Sequence, residues 1–90
     1  MIDKYKKHYS ILGELIRNLR TQKAYYKNQA QFAQKLGVKQ SYVSKIENGK
    51  VRIGIIEVWE ICSIMNIPFT EFAKMLESTL LANPSIKRNR

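Results

Sequence analysis

Apolar residues near the start of this chain recur at helical spacing. One stripe follows the i, i+3, i+4, i+7 pattern and consists of Leu12, Leu15, Ile16 and Leu19. That spacing predicts a helix that runs to about residue 23. The stripe can be traced back through Tyr5 and Tyr9. Because Asp3 and Ser10 are both favourable N-cap residue types, two starts of this first helix are consistent with the sequence.

A second predicted helix lies between Asn28 and Gly37. Asn28 is a good N-cap, and Gln31 stands three residues later, where its side chain can bond the cap's backbone N–H in a capping box. Gly37 ends the helix because glycine readily takes the left-handed conformation that follows a helix C-terminus. Phe32, Ala33 and Leu36 form the inner face of this helix.

The third predicted helix is short and has a polar outer side. It begins after Lys39, a poor N-cap residue, and closes at Gly49. Val38 and Val43 have the spacing of a hydrophobic staple, which fixes the angle at which a chain enters a helix. With Val43 and Ile46 turned inward, the outer side consists of residues that end in hydrogen-bonding groups: Gln40, Ser41, Tyr42, Ser44 and Lys45.

Two further helices are predicted after Gly54 and from about Pro68, which suits a first helical turn. Both carry more apolar residues than one buried face needs, so we expect a second subunit to cover the surplus. The candidates for this dimer interface are Ile56, Trp59, Ile64, Met75, Leu80 and Leu81. The whole pattern predicts an all-α, five-helix fold in one domain over residues 1–82, with its core at about 11–77 and a basic flexible tail over 83–90.

Charge is distributed unevenly along the chain. Sixteen Lys and Arg stand against seven Asp and Glu, a net charge of +9, and 44% of the residues are hydrophobic, which excludes a chain disordered throughout. The first 52 residues hold twelve of the basic and three of the acidic side chains, whereas residues 53–82 hold one basic and four acidic side chains. A basic region of this kind favours a nucleic acid, because Lys and Arg release the counterions of phosphates. An ordinary solubilising surface is the alternative.

The sequence offers no set of residues for catalysis or metal binding. The single Cys62 cannot form an internal disulfide, and there is no four-ligand Cys/His cluster, so we expect neither a metal nor another cofactor. His8 has no Ser and carboxylate partners in a triad pattern, which argues against an enzyme. No apolar run approaches the roughly 18 residues needed to span a bilayer, and we expect a soluble, cytoplasmic protein without membrane contact.

Residues 28–50 resemble the helix-turn-helix of the Cro and phage-repressor family, also called the xenobiotic-response-element type. The likeness extends over residues 11–77 and depends on Gln29, Ala33, Gly37, Val43, Ile46, Glu47 and Gly49 at their spacing. It implies a lambda-repressor-like domain that binds double-stranded DNA, usually as a dimer on a palindromic operator, and regulates transcription. The chain departs from the family between Arg20 and Asn28, where it is two residues longer than usual, and at Lys39, where the family has Ser or Thr.

A role for each candidate site residue follows from this reading. The third helix would enter the major groove and contact base edges through Gln40, Ser41, Tyr42, Ser44 and Lys45. Phosphates would be contacted by Gln29, Lys39, Asn48, Lys50 and Arg52. The resemblance further implies that Arg20 and Glu47 form a structural ion pair. For each exposed residue, a solvated surface position without a DNA contact is the alternative.

The regulatory direction and the partners are also expectations. Some family members activate RNA polymerase through an acidic patch on the second helix, and this helix has no acidic residue, which favours a repressor. The alternative is an antitoxin, whose apolar fourth and fifth helices would cover a toxin while its helix-turn-helix regulates its own operon. The possible protein partners are therefore a second subunit, a toxin or RNA polymerase.

Overall fold

A computed structural model describes residues 4–22 and 26–86. Within these ranges the chain forms five α-helices and no strand, so the prediction of an all-α, five-helix fold is confirmed. The helices are α1 (Lys6–Thr21), α2 (Gln29–Leu36), α3 (Gln40–Glu47), α4 (Ile55–Ile64) and α5 (Phe69–Ala82). The predicted tail begins directly after α5, and its last residues, 87–90, lie outside the described part of the chain.

The first helix begins before Ser10, the later of its two predicted N-caps. Its first residue is Lys6 and Tyr5 is at the N-cap, so a start after Ser10 is wrong, and the other candidate cap, Asp3, lies outside the described residues. The additional turn is stabilised by aromatic contacts. Tyr9 packs against the core, and the Tyr5 ring meets His8 edge-on, with the ring centroids 5.5 Å apart.

The ends of the other helices follow the predicted capping residues closely. The Asn28 side chain accepts hydrogen bonds from the N–H groups of Ala30 (2.7 Å) and Gln31 (3.2 Å), and no return bond from the Gln31 side chain to Asn28 is found. Gly37 has a φ of +80° and ends α2 as predicted. Pro68 is the N-cap of α5 and lies one residue before the first turn in which we expected it.

The core is formed by residues from all five helices. Its most deeply buried side chains are Phe32, Phe72, Ile16, Ile61, Met65, Val43 and Cys62. Burial raises the pKa of the Cys62 thiol to about 11, which keeps the thiol protonated and unreactive at neutral pH. Cys62 is therefore a small core residue, as its place on an apolar helix indicates.

The surplus apolar residues of α4 lie on the surface. Only Val58, Ile61 and Cys62 of this helix are buried, whereas Ile55 and Ile56 are each 69% exposed and Trp59 is 54% exposed. The six dimer candidates separate accordingly. Ile56, Trp59 and Leu81 are exposed, while Ile64, Met75 and Leu80 are half-buried.

The C-terminal end of α3 lies unusually close to α1. A Cβ atom on Gly13 would stand 2.2 Å from the Ile46 carbonyl oxygen and 2.7 Å from that of Glu47. Gly49, with a φ of +70°, would place a Cβ 2.6 Å from the Cα of Ser10. Both contacts need glycine, because any larger residue would push the two helices apart. The position of α3 on the body of the protein is thus fixed by backbone contacts with α1.

Candidate nucleic-acid interface

The outer side of α3 is open to solvent along its whole length. Gln40, Ser41 and Lys45 are exposed, and Tyr42 and Ser44 are half-buried. The inner side is formed by Val43, Ile46 and Glu47, which are buried. All five residues predicted to read bases therefore lie on one helix with their polar ends outside the core; we call these five residues the outer face of α3.

The hydroxyl group of Tyr42 is bonded to α4. It donates to Oε2 of Glu57 at 2.7 Å, and Oε1 of the same carboxylate accepts the backbone N–H of Gly54 at 3.4 Å. The hydrogen bond to Glu57, together with desolvation and the negative charge, raises the pKa of Tyr42 above its usual value of 10.0. This contact was not predicted from the sequence. The only signal was the Gly54-x-x-Glu57 spacing, which is typical of a helix start but does not indicate Tyr42 as a partner.

The predicted phosphate contacts Lys39, Asn48, Lys50 and Arg52 are exposed and lie on both sides of α3. Asn48 makes a long hydrogen bond of 3.4 Å from Nδ2 to the hydroxyl oxygen of Ser44. The guanidinium carbon of Arg52 lies 6.0 Å from the centre of the Tyr5 ring, at the limit of a cation–π contact. The structure thus brings four of the five phosphate candidates to the two ends of one helix.

Gln29, the fifth phosphate candidate, is half-buried in the first turn of α2. Its Nε2 donates to Oε1 of Glu47 at 2.8 Å, a contact that the sequence analysis did not predict. An amide NH₂ has two hydrogens, so this bond leaves one N–H for a phosphate. The same side chain can therefore be held by α3 and still serve a ligand.

Arg20 and Glu47 form a buried ion pair between α1 and α3. Their exposed fractions are 3% and 6%, and the guanidinium binds both carboxylate oxygens, with Nε–Oε2 at 2.5 Å and Nη2–Oε1 at 3.0 Å. The paired geometry is that of a bidentate Arg–carboxylate contact. Arg20 also donates from Nη1 to the carbonyl oxygens of Tyr26 and Lys27, each at 2.8 Å. We call Arg20, Gln29, Glu47 and these two carbonyls the anchor network.

The anchor network explains how the longer connection between α1 and α2 is accommodated. Residues 23–25 of this segment lie outside the described part of the chain. Its end is held by Arg20 through the two carbonyls and by the Tyr26 ring, which packs edge-on against Phe32 at 5.6 Å. The chain therefore enters α2 at a fixed point.

Comparison with known proteins places this arrangement in a family. A family model described as helix-turn-helix matches residues 16–72, which include α2, α3, α4 and the turns between them. The chain belongs to the Cro and phage-repressor type of the helix-turn-helix family. Its five helices form the lambda-repressor-like fold, and its family membership indicates a DNA-binding regulator of transcription. A search of the curated proteins found no match.

In this helix-turn-helix protein, α2 and α3 are the two helices of the motif, and α3 is the one that enters the groove in the family. Its surface charge suits that role. The carboxylate of α3, Glu47, is buried and paired, whereas α4 and α5 carry the acidic residues Glu57, Glu60, Glu71 and Glu77. Basic side chains therefore flank α3, and of these four acidic residues Glu57 is the one bonded to it, through Tyr42.

The described residues contain neither a metal-binding cluster nor a membrane-spanning helix. Within residues 4–22 and 26–86, no group of three His, Cys, Asp or Glu side chains is arranged to hold a metal ion. In the same part of the chain, each helix is too short or too polar to span a membrane.

Proposed function

We propose that this protein is a sequence-specific repressor of transcription that binds a palindromic operator as a homodimer. The observation that supports it best is the outer face of α3, where hydrogen-bonding side chains, all but Lys45 uncharged, are exposed or half-buried and cations flank both ends. The major groove, about 12 Å wide, accepts one helix with this profile.

Base reading is assigned to the first turns of α3. Gln40 and Ser41 are its first two residues and are exposed, and residues at the N-terminal end of a reading helix approach base edges most closely. Gln40 can bond N6 and N7 of an adenine together. Ser44 and Lys45 continue this surface one turn later, where Lys45 can reach a guanine.

Phosphate contacts are assigned to the residues around α3. Lys39, Lys50 and Arg52 bring positive charge to the two ends of the helix, and Gln29 keeps one amide hydrogen for a phosphate at the start of α2. These contacts fix register and supply most of the salt dependence, but they carry no sequence information.

Selection of bound sites from random duplexes tests this proposal, followed by a pair of variants. Gln40→Ala should cost about 1 to 3 kcal/mol on the selected site and relax one base position. Lys50→Ala should weaken all sequences alike and reduce the slope of log affinity against log salt by about one. Equal losses on the selected site and on random DNA for Gln40→Ala would contradict base reading by α3.

Homodimerisation is supported by the exposed apolar residues Ile56, Trp59 and Leu81. The mass of one chain is 10.5 kDa, and on a selected site with two half-sites sedimentation should show the mass of the DNA plus that of two chains. Trp59→Lys should reduce the dimer fraction without unfolding the chain, because this side chain is largely exposed. A monomer that binds a single half-site at all concentrations would contradict this part of the proposal.

Repression is supported by the surface of α2. Its exposed residues are uncharged or basic, namely Ala30, Gln31, Gln34 and Lys35, so α2 offers no acidic patch to RNA polymerase. Transcription in vitro from a promoter that overlaps the selected site should fall as the protein is added, and a rise would contradict repression. An antitoxin would instead be recovered as a stable heteromer with the product of a neighbouring gene.

A further inference from the structure

We propose that Glu57, which lies on α4 outside the helix-turn-helix, is a positioning residue that determines which base edge Tyr42 accepts. This inference rests on the proposed function, because it needs α3 to read bases. It adds a residue outside the reading helix to the determinants of sequence preference.

Two hydrogen bonds connect the Tyr42 hydroxyl through the Glu57 carboxylate to the backbone of α4. Tyr42 Oη donates to Oε2 of Glu57 at 2.7 Å, and Oε1 of Glu57 accepts the N–H of Gly54, the N-cap of α4. The carboxylate therefore also has a long hydrogen bond, of 3.4 Å, with the backbone of α4. Tyr42 is half-buried, so part of its side chain remains open to a ligand.

Tyr42 lies at the border of the outer face of α3. At 3.6 residues per turn, it is next to Lys45 on the exposed side and next to Ile46 on the buried side. The main packing partners of α3 are α1 and α2, whereas α4 packs against α2 and α5. The bond from Tyr42 to Glu57 therefore joins the reading helix to a helix against which it packs little.

A phenol hydroxyl has one hydrogen to donate, and this limits how Tyr42 can contact a base. Tyr42 has one O–H hydrogen, and Glu57 accepts it, so toward DNA the oxygen can only accept. In the major groove, N4 of cytosine and N6 of adenine present donors, whereas O6 and N7 of guanine and O4 of thymine present acceptors. Glu57 thus favours a donor edge opposite Tyr42 and excludes a bond to an acceptor edge.

The negative charge of Glu57 has a second effect that must be separated from the first. A carboxylate close to α3 repels phosphates and weakens binding to every sequence. Glu60, an exposed residue of the same helix, carries the same charge but makes no bond to α3. Glu57→Ala and Glu60→Ala therefore remove equal charge from one helix and differ in the contact with Tyr42.

The test measures binding to the selected site and to all of its single-base variants. The proteins are the wild type, Glu57→Ala, Glu60→Ala, Tyr42→Phe and the Glu57→Ala/Tyr42→Phe double variant. We expect Glu57→Ala to change relative affinities at one base position about fivefold or more in favour of an acceptor edge. Glu60→Ala should shift all sites together. In the Tyr42→Phe background, Glu57→Ala should no longer alter the preference.

Three results would overturn the inference: unchanged preferences in Glu57→Ala, the same change in Glu60→Ala, or a change that persists with Phe at position 42. Circular dichroism of each variant excludes a folding defect as the cause of any difference. A wild type that selects no sequence would defeat the proposed function itself. A wild type whose clear preference does not respond to Glu57→Ala would defeat only the role of Glu57.

Discussion

The two ends of α3 are attached to the rest of the protein by different means. At its C-terminal end, the buried carboxylate of Glu47 receives three hydrogen bonds from Arg20 and Gln29, and the backbone lies against Gly13 of α1. At its N-terminal end, Lys39 forms no side-chain capping bond, and one half-exposed bond joins Tyr42 to Glu57.

The two ends of α3 therefore differ in how strongly they are attached to the rest of the protein. Breaking a buried, hydrogen-bonded ion pair from one side costs about 3 to 5 kcal/mol, whereas a typical hydrogen bond contributes about 1 kcal/mol. The strong attachment is at the end of α3 that follows the residues proposed to read bases, and the weak one is among them. If α3 reads bases as proposed, we expect its first turn to adjust to a base pair at a smaller cost in stability than its C-terminal end.

The largest effect is expected from Arg20→Ala. The change leaves the Glu47 carboxylate buried without its charge partner and removes the donor to the carbonyls of Tyr26 and Lys27, so it should cost about 3 to 5 kcal/mol of the free energy of unfolding. Urea denaturation measures this loss, with Arg17→Ala, an exposed arginine of the same helix, as the matched control. A midpoint within error of the wild type would show that the C-terminal end is not strongly attached.

Gly13→Ala tests the backbone contact at the same end. Alanine is the better helix former by about 1 kcal/mol, so an uncrowded site would gain stability. The new methyl group would instead overlap the Ile46 carbonyl, and we expect a loss of about 1 to 3 kcal/mol. Thermal unfolding measures this loss beside Asn18→Ala, an exposed change on α1. A rise in melting temperature for Gly13→Ala would mean that α1 and α3 separate readily.

Tyr42→Phe removes the bond at the other end. We expect a loss of about 1 kcal/mol, because the hydroxyl is half-exposed and the Glu57 carboxylate keeps the Gly54 N–H and solvent as partners. Tyr9→Phe is the control, since no hydrogen bond of the Tyr9 hydroxyl occurs among the described residues. A loss as large as that of Arg20→Ala would remove the contrast between the two ends.

Lys39→Ser should raise the stability of the protein, whereas the three substitutions above should lower it. Serine can accept a hydrogen bond from the first free N–H groups of α3, which the Lys39 side chain does not, so we expect a gain of about 0.5 to 1 kcal/mol in stability. Binding to all DNA sequences should weaken at the same time, because one cation is lost. Denaturation and binding to random duplexes measure the two effects, and unchanged stability would show that the first turn of α3 is already satisfied.

The smallest effect is a pH dependence at the N-terminal end. The folded pKa of Tyr42 lies above the usual 10.0 of the unfolded chain, so the contribution of this phenol to stability is complete below pH 10. It is then lost as the pH rises through the folded pKa. The difference in unfolding free energy between wild type and Tyr42→Phe should therefore shrink above pH 10, and a constant difference would contradict the bond to Glu57.

The helices and their ends could largely be predicted from local patterns. Asn28, Gly37 and Gly54 are of residue types that are favoured at helix ends, and in the structure all three stand there. The start of α1 could not be decided because Asp3 and Ser10 are equally good caps. The choice depends on the contact of Tyr9 with the core, which is formed only when the helices pack.

At the candidate nucleic-acid interface, contacts between helices could not be predicted from local sequence patterns either. Arg20 with Glu47 was suggested by resemblance to a family, not by any pattern within the chain. The bonds from Gln29 to Glu47 and from Tyr42 to Glu57 join residues 18 and 15 positions apart, and they depend on how two helices meet. Helical periodicity identifies the side of α3 that is exposed, but it contains no information on which neighbour a border residue contacts.

The buried Cys62 can be used to measure how often α4 leaves the core. Its thiol is inaccessible and protonated in the folded protein, so a thiol reagent can modify it only after α4 has left the core. Because Cys62 is the single cysteine, the labelling rate under native conditions measures that event alone, without an added probe. Labelling with and without operator DNA would then show whether a ligand bound at α3 slows the opening of α4.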